Sequence, residues 1–101
     1  MKIDTLLSDE AILAELGQRI ARRRLELQLT QAAVAELAGV AKRTLERLES
    51  GQSAQMSSLI RIIRVLDGLQ GLDRLVPETG PRPMDLLKHR GKVRQRAPRR
   101  G

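Results

Sequence analysis

The chain has 101 residues, 41% hydrophobic and 31% charged, which is enough for one small globular domain, and it contains no apolar run long enough to span a bilayer. It has no cysteine and a single histidine, His89, so disulfides and cysteine-built zinc sites are excluded and no metal or cofactor is expected; without Phe, Tyr or Trp it also lacks the rings on which single-strand binders stack bases. A net charge of +7 points to a polyanionic partner, and if that partner is a nucleic acid the missing rings favour a duplex.

Apolar positions then recur every three or four residues as far as Val76, and β-branched alternation never appears, so the spacing predicts helices and no strands. Residues 1–8 read as an N-terminal arm. Ser8 is the expected N-cap of a first helix over about residues 9–27, with Asp9 and Glu10 in its first turn and Leu13, Leu16, Ile20 and Leu27 on its inner face. Thr30 is the expected cap of a second, Gln31 to Ala38, with Val34 and Leu37 inward, and Gly39 ends it as a residue able to take positive φ. A third helix runs from Lys42 to Glu49 with Leu45 and Leu48 buried, and Ser50-Gly51 closes it. A fourth is expected to start at a Ser57 cap and to carry Leu59, Ile62, Ile63 and Leu66. Gly68 and Gly71 bracket the break before a short fifth helix with Leu72, Leu75 and Val76.

Beyond Pro77 the composition changes to Pro, Gly and Arg, which marks residues 77–101 as a tail. Residues 1–80 carry eleven basic and eleven acidic side chains, whereas residues 81–101 carry eight basic ones and the single acid Asp85, so the net charge lies in the tail. Met84-Asp85-Leu86-Leu87-Lys88 is long enough for one or two helical turns but needs a partner to hold them. From Gly91 onward the like charges and scarcity of apolar residues predict disorder in isolation. The expected architecture is all-α: a five-helix domain over residues 9–76 and a basic, mostly disordered C-terminal tail.

Two short helices across a glycine turn over Gln31 to Glu49, with the small Ala35 at the fifth position and Gly39 at the ninth, have the size and punctuation of a helix-turn-helix. Leu29-Thr30-Gln31-Ala32, Ala35-Glu36-Leu37-Ala38-Gly39-Val40 and Leu45-Glu46-Arg47-Leu48-Glu49-Ser50-Gly51 resemble the Xre/Cro family of regulators, which includes the lambdoid phage repressors; the resemblance covers about residues 16–76. It implies a lambda-repressor-like fold and a recognition helix, Lys42 to Glu49, whose Lys42, Arg43, Thr44 and Arg47 face the major groove. Lysine and arginine donate to guanine O6 and N7, and the threonine methyl meets a thymine methyl. It further implies a phosphate contact from Gln31 beside the backbone N–H groups of a helix start, and an internal ion pair between Arg24 and Glu49. Arg22 and Arg23 are candidates to follow phosphate at the end of the first helix. The chain departs from the family pattern at Ala33, where Glu completes a capping box, and at Ala41, where Ser or Thr caps the recognition helix.

The tail, with its Pro hinge, its Met/Leu-Leu-Lys turn and its Arg-rich end, resembles that of HipB-like antitoxins encoded beside HipA-type kinases. That resemblance implies a dimeric repressor that autoregulates a toxin–antitoxin operon, and with no secretion signal at the amino terminus the expected location is cytoplasmic, at the nucleoid. Met84, Leu86, Leu87, Lys88, Arg90, Lys92, Arg94 and Arg96 would then contact the DNA backbone or the partner kinase. The alternative is a stand-alone Xre-type regulator, with no toxin partner, that clamps DNA with the same tail. Nothing in the sequence supports catalysis: it has no P-loop and no nucleophile beside a histidine.

Overall fold

A computed structural model of the chain describes residues 1–80. Among them are five helices and no strand: α1 Asp9–Glu26, α2 Gln31–Ala38, α3 Lys42–Glu49, α4 Met56–Val65 and α5 Leu69–Leu75. The domain is therefore the expected all-α helix-turn-helix fold. Helix α2 packs on both α3 and α4, α1 packs on α3, and α5 rests on α4. Ile20, Val34, Ala38, Leu45, Leu48, Ile62 and Leu66 meet at the centre, with Leu29, Val40, Leu59 and Ile63 packed around them. Every helix from α1 to α4 thus contributes at least one fully committed apolar side chain. At roughly 1.5–3 kcal/mol for each one buried, a core this small leaves little stability to spare.

The helix starts follow the sequence closely. The Ser8 hydroxyl accepts a hydrogen bond from the Ala11 N–H at 3.1 Å, and Thr30 Oγ1 accepts one from the Ala33 N–H at 3.0 Å. Ala41 precedes α3 with extended backbone and no side-chain cap. Helix α4 begins two residues earlier than a Ser57 cap implies, at Met56 after Gln55, so Ser57 lies in its first turn and is not its cap.

The ends share one device. At each of the first four C-termini a residue with positive φ turns the chain, and the N–H of the residue after it bonds to a carbonyl five positions back: Leu29 to Arg24, Val40 to Ala35, Gln52 to Arg47 and Gly68 to Ile63, at 2.9 to 3.1 Å. This pattern satisfies carbonyls that would otherwise be orphaned at a helix end. Gly39 (φ 72) and Gly51 (φ 93) fill two of the four turning positions at no steric cost, whereas Gln28 and Asp67, both at φ 59, fill the others. Gly71 lies inside α5 and not at the break before it.

Three apolar expectations need correction. Leu16 and Leu27 are more than a third exposed, and Leu37 is 67% exposed. The inner stripe of α1 runs through Leu13, Gly17, Ile20 and Arg24, so a glycine and an arginine occupy places that an apolar pattern assigns to leucines. Leu27 lies beyond the last helical residue, where the stripe no longer governs its direction. On α2 the buried positions are Val34, Ala35 and Ala38, and at about 100° per residue Leu37 points roughly 100° away from their centre.

Glu15 is the one buried charged residue among those described. Its Oε2 accepts from Arg19 Nε at 2.9 Å and from the Met1 ammonium at 3.4 Å, while Arg19 also donates to the Met1 carbonyl at 2.7 Å, so the arm is tied back onto α1. The Arg19 hydrogen bond holds the Glu15 carboxyl below the usual carboxylate range, against the opposing effect of burial, and the Met1 ammonium adds to the lowering. The unfolded chain takes up this proton near pH 4.5, whereas the folded chain takes it up only at lower pH. The contribution is therefore complete above pH 4.5 and declines as pH falls through the folded value. Melts between pH 7 and pH 3 should show wild type losing stability faster than Glu15→Gln on the acid side. Parallel curves would remove Glu15 from the acid response.

Candidate nucleic-acid interface

Helix α3 has two opposed faces. Leu45 and Leu48 are buried beneath it, and Lys42, Arg43, Glu46 and Arg47 project into solvent on the other side, with Thr44 half-buried at the edge. At about 100° per residue the four exposed positions fall within one arc of roughly 140°, opposite the two leucines. Burying the leucines therefore fixes which side chains α3 can present.

The acids on this helix are not free to oppose an anion. Lys42 Nζ lies 3.7 Å from Glu46 Oε2, an exposed pair one turn apart that contributes little to stability but offsets the Glu46 charge. Glu49 is held by Arg24 of α1: Nε donates to Oε2 at 2.7 Å and Nη2 to Oε1 at 3.0 Å, a bidentate pair. The third bond, Arg24 Nη1 to the Leu29 carbonyl at 2.9 Å, fastens the α1–α2 turn to the same guanidinium. Bonded this way, the Arg24 guanidinium is held still more firmly protonated, its affinity for the proton raised by the Glu49 carboxylate. Arg43 and Arg47 make no ion pair among the described residues; Arg47 Nε donates to Gln52 Oε1 at 3.2 Å.

Gln31, the first residue of α2, joins this network by donating from Nε2 to Glu49 Oε1 at 3.0 Å. A carboxamide nitrogen carries two N–H groups, so the second remains for another acceptor. The start of α2 is in this way locked to the end of α3, with Arg24 beneath both. The expected Arg24–Glu49 ion pair is present, and Gln31, expected at a phosphate, is drawn into the same cluster.

Arg22 and Arg23 are placed elsewhere. Arg22 is exposed on the face of α1 turned away from α3, and Arg23 donates from Nε to the Leu66 carbonyl at 3.0 Å and from Nη2 to the Asp67 carbonyl at 3.2 Å. Arg23 thereby closes the carbonyl end of α4, favourable for a cation at a helix C-terminus. Two residues of structural weight had no signal in an apolar pattern. Gly17 lets α1 lie against the carbonyls of Leu48 and Glu49, and Gln52 steadies Arg47. The tail residues Met84, Leu86, Leu87, Lys88, Arg90, Lys92, Arg94 and Arg96 lie outside the described residues.

Among the described residues no group of His, Asp and Glu could hold a metal ion, and no helix is long and apolar enough to cross a membrane. No curated protein matches the chain. Residues 20–69 match the family model described as helix-turn-helix, a span of about half the chain that takes in the core from Ile20 to Leu66, the glycine turn and all of α3. The fold and this match agree on the same residues: the chain carries, in residues 20–69, a domain of the helix-turn-helix family, which supports a DNA-binding transcription regulator.

Proposed function

We propose that the protein is a sequence-specific repressor that binds double-stranded DNA as a homodimer, with α3 in the major groove. The carrying observation is that α3 turns Lys42, Arg43 and Arg47 outward while both acids on the helix are engaged by cations, Glu46 by Lys42 and Glu49 by Arg24. A helix of this size fits the major groove, where each base pair shows a distinct pattern of donors and acceptors. Arg43, Arg47, Lys42 and Thr44 read base edges. Gln31, clamped by Glu49 at the head of α2, uses its second N–H on a phosphate. Arg22 is a flanking phosphate contact, and Arg23 joins it when its guanidinium leaves the Leu66 and Asp67 carbonyls.

One recognition helix covers too few base pairs for specificity, which is the reason for a dimer. The exposed Leu69 and Val76 at the two ends of α5 are its proposed contact surface. Native mass spectrometry should give twice the chain mass. Selection from a random duplex library should return a palindrome with half-sites roughly 34 Å apart. A monomer that protects an asymmetric site overturns the dimeric reading, and a library with no enriched sequence overturns specific recognition.

The finer role, antitoxin and autoregulator beside a HipA-type kinase, rests on the sequence of residues 81–101. A pull-down of the neighbouring gene's product with the full chain tests it: a co-purifying kinase supports the antitoxin, and its absence leaves a stand-alone regulator.

A further inference from the structure

An apolar groove of about 650 Å³ runs between α1, α4 and α5. Leu13, Leu16, Leu59, Ile63, Leu72 and Leu75 line it, and none of them belongs to the outward face of α3. Its volume falls in the roughly 300–1,000 Å³ range of sites that receive a small, mostly apolar body. Helix α5 forms one wall, yet it has seven residues, no side-chain cap and no buried residue, and it rests chiefly on α4. A helix so short is marginal without added packing.

We propose that Met84, Leu86 and Leu87 of the same chain occupy this groove. The chain leaves α5 at Leu75, itself a lining residue, and Met84 follows nine positions later, within a reach of about 30 Å for extended backbone. Among residues 81–101 these three are the large apolar side chains apart from Val93. In a helix they fall within one arc of about 160°, with Asp85 and Lys88 on the opposite arc, so the segment has one apolar face to bury. Tethering matters as much as fit: a short connection supplies an effective concentration in the millimolar range, enough to seat a segment too short to bind on its own. A second copy is a poorer occupant. A two-fold interface sets the same patch against itself, and a groove facing a groove encloses a void unless something projects into it. Docking leaves the basic residues from Lys88 onward for a polyanion and braces α5 from its open side.

The absence of cysteine makes a single spin label clean. A nitroxide on Lys88→Cys in the full-length chain is expected to broaden the amide signals of Leu13, Leu16 and Leu72 when label and ¹⁵N share one chain. It should not do so when labelled and ¹⁵N chains are merely mixed. Adding Leu86→Asp and Leu87→Asp should abolish the broadening and speed amide exchange in α5 tenfold or more, while Leu45 and Leu48 keep their shifts and report an intact core. No broadening within one chain, or equal broadening in the mixture, overturns the proposal, the latter by making the occupant a second copy. Unchanged α5 exchange in the double variant overturns it as well. None of these readouts involves DNA, so the outcome is independent of the DNA-binding reading.

Discussion

Gly17→Ala is expected to destabilise the domain by about 3 kcal/mol, although alanine is the better helix former by roughly 1 kcal/mol. A Cβ at position 17 would lie 2.5 Å from the Leu48 carbonyl oxygen and 2.7 Å from that of Glu49. Both atoms are backbone at the end of α3 and cannot swing aside as a side chain could, so α1 and α3 must part. At 4–8 °C per kcal/mol for a domain of this size, the midpoint of thermal unfolding should fall by roughly 15 °C. Gly71→Ala is the matched control. Position 71 is also helical, and in the Leu86→Asp/Leu87→Asp background, where the groove it lines is open, a Cβ there meets nothing within 4 Å, so the same exchange should stabilise by about 0.5–1 kcal/mol. Opposite signs for one chemical change would show that α1 seats the recognition helix through backbone contact. A neutral Gly17→Ala would contradict it.

Removing either member of the Arg24–Glu49 pair should cost about 3–5 kcal/mol, the cost of leaving a largely buried charge without its partner. The side chains are only 12% and 8% exposed, and three bonds of 2.7 to 3.0 Å converge on the guanidinium. Arg24→Met should leave Glu49 beneath Gln31 with a single neutral donor, and Glu49→Leu should leave Arg24 with the Leu29 carbonyl alone. The double variant should recover most of the loss, because two apolar side chains of similar length strand no charge. A urea double-mutant cycle gives the coupling directly. Single losses under 1 kcal/mol would place the pair with ordinary surface ion pairs, and the brace between α1 and α3 would fall with it.

How far the chain could be read depends on what kind of signal each feature leaves. The caps at Ser8 and Thr30 and the turn at Gly39 were legible because hydroxyl and glycine have few other reasons to stand at those spacings. In the cluster of Arg24, Gln31 and Glu49 the ion pair was legible through the family resemblance, whereas the Gln31 bond to Glu49 was not, because no spacing relation within one helix connects residues on three. Leu16, Leu27 and Leu37 were misread because hydrophobicity says that a side chain can be buried, not that a neighbour is there to bury it. Gly17 was invisible for the opposite reason, since its role is the absence of a side chain where two backbones meet. The left-handed turns at Gln28 and Asp67 carry no glycine, so nothing in the composition announces them.

The recognition surface itself is tested most directly by titrating the selected operator, and a panel with one base pair changed at a time, against wild type, Arg43→Ala, Arg47→Ala and Gln31→Ala at one fixed salt concentration. If α3 reads bases, each arginine variant should lose about 1–3 kcal/mol on the operator and become indifferent to one base pair in each half-site. Gln31→Ala should weaken every duplex alike and leave the ranking of sequences unchanged, as loss of a phosphate contact requires. Arginine variants that keep both the affinity and the full sequence ranking of wild type would contradict the assignment of α3 as the reading helix.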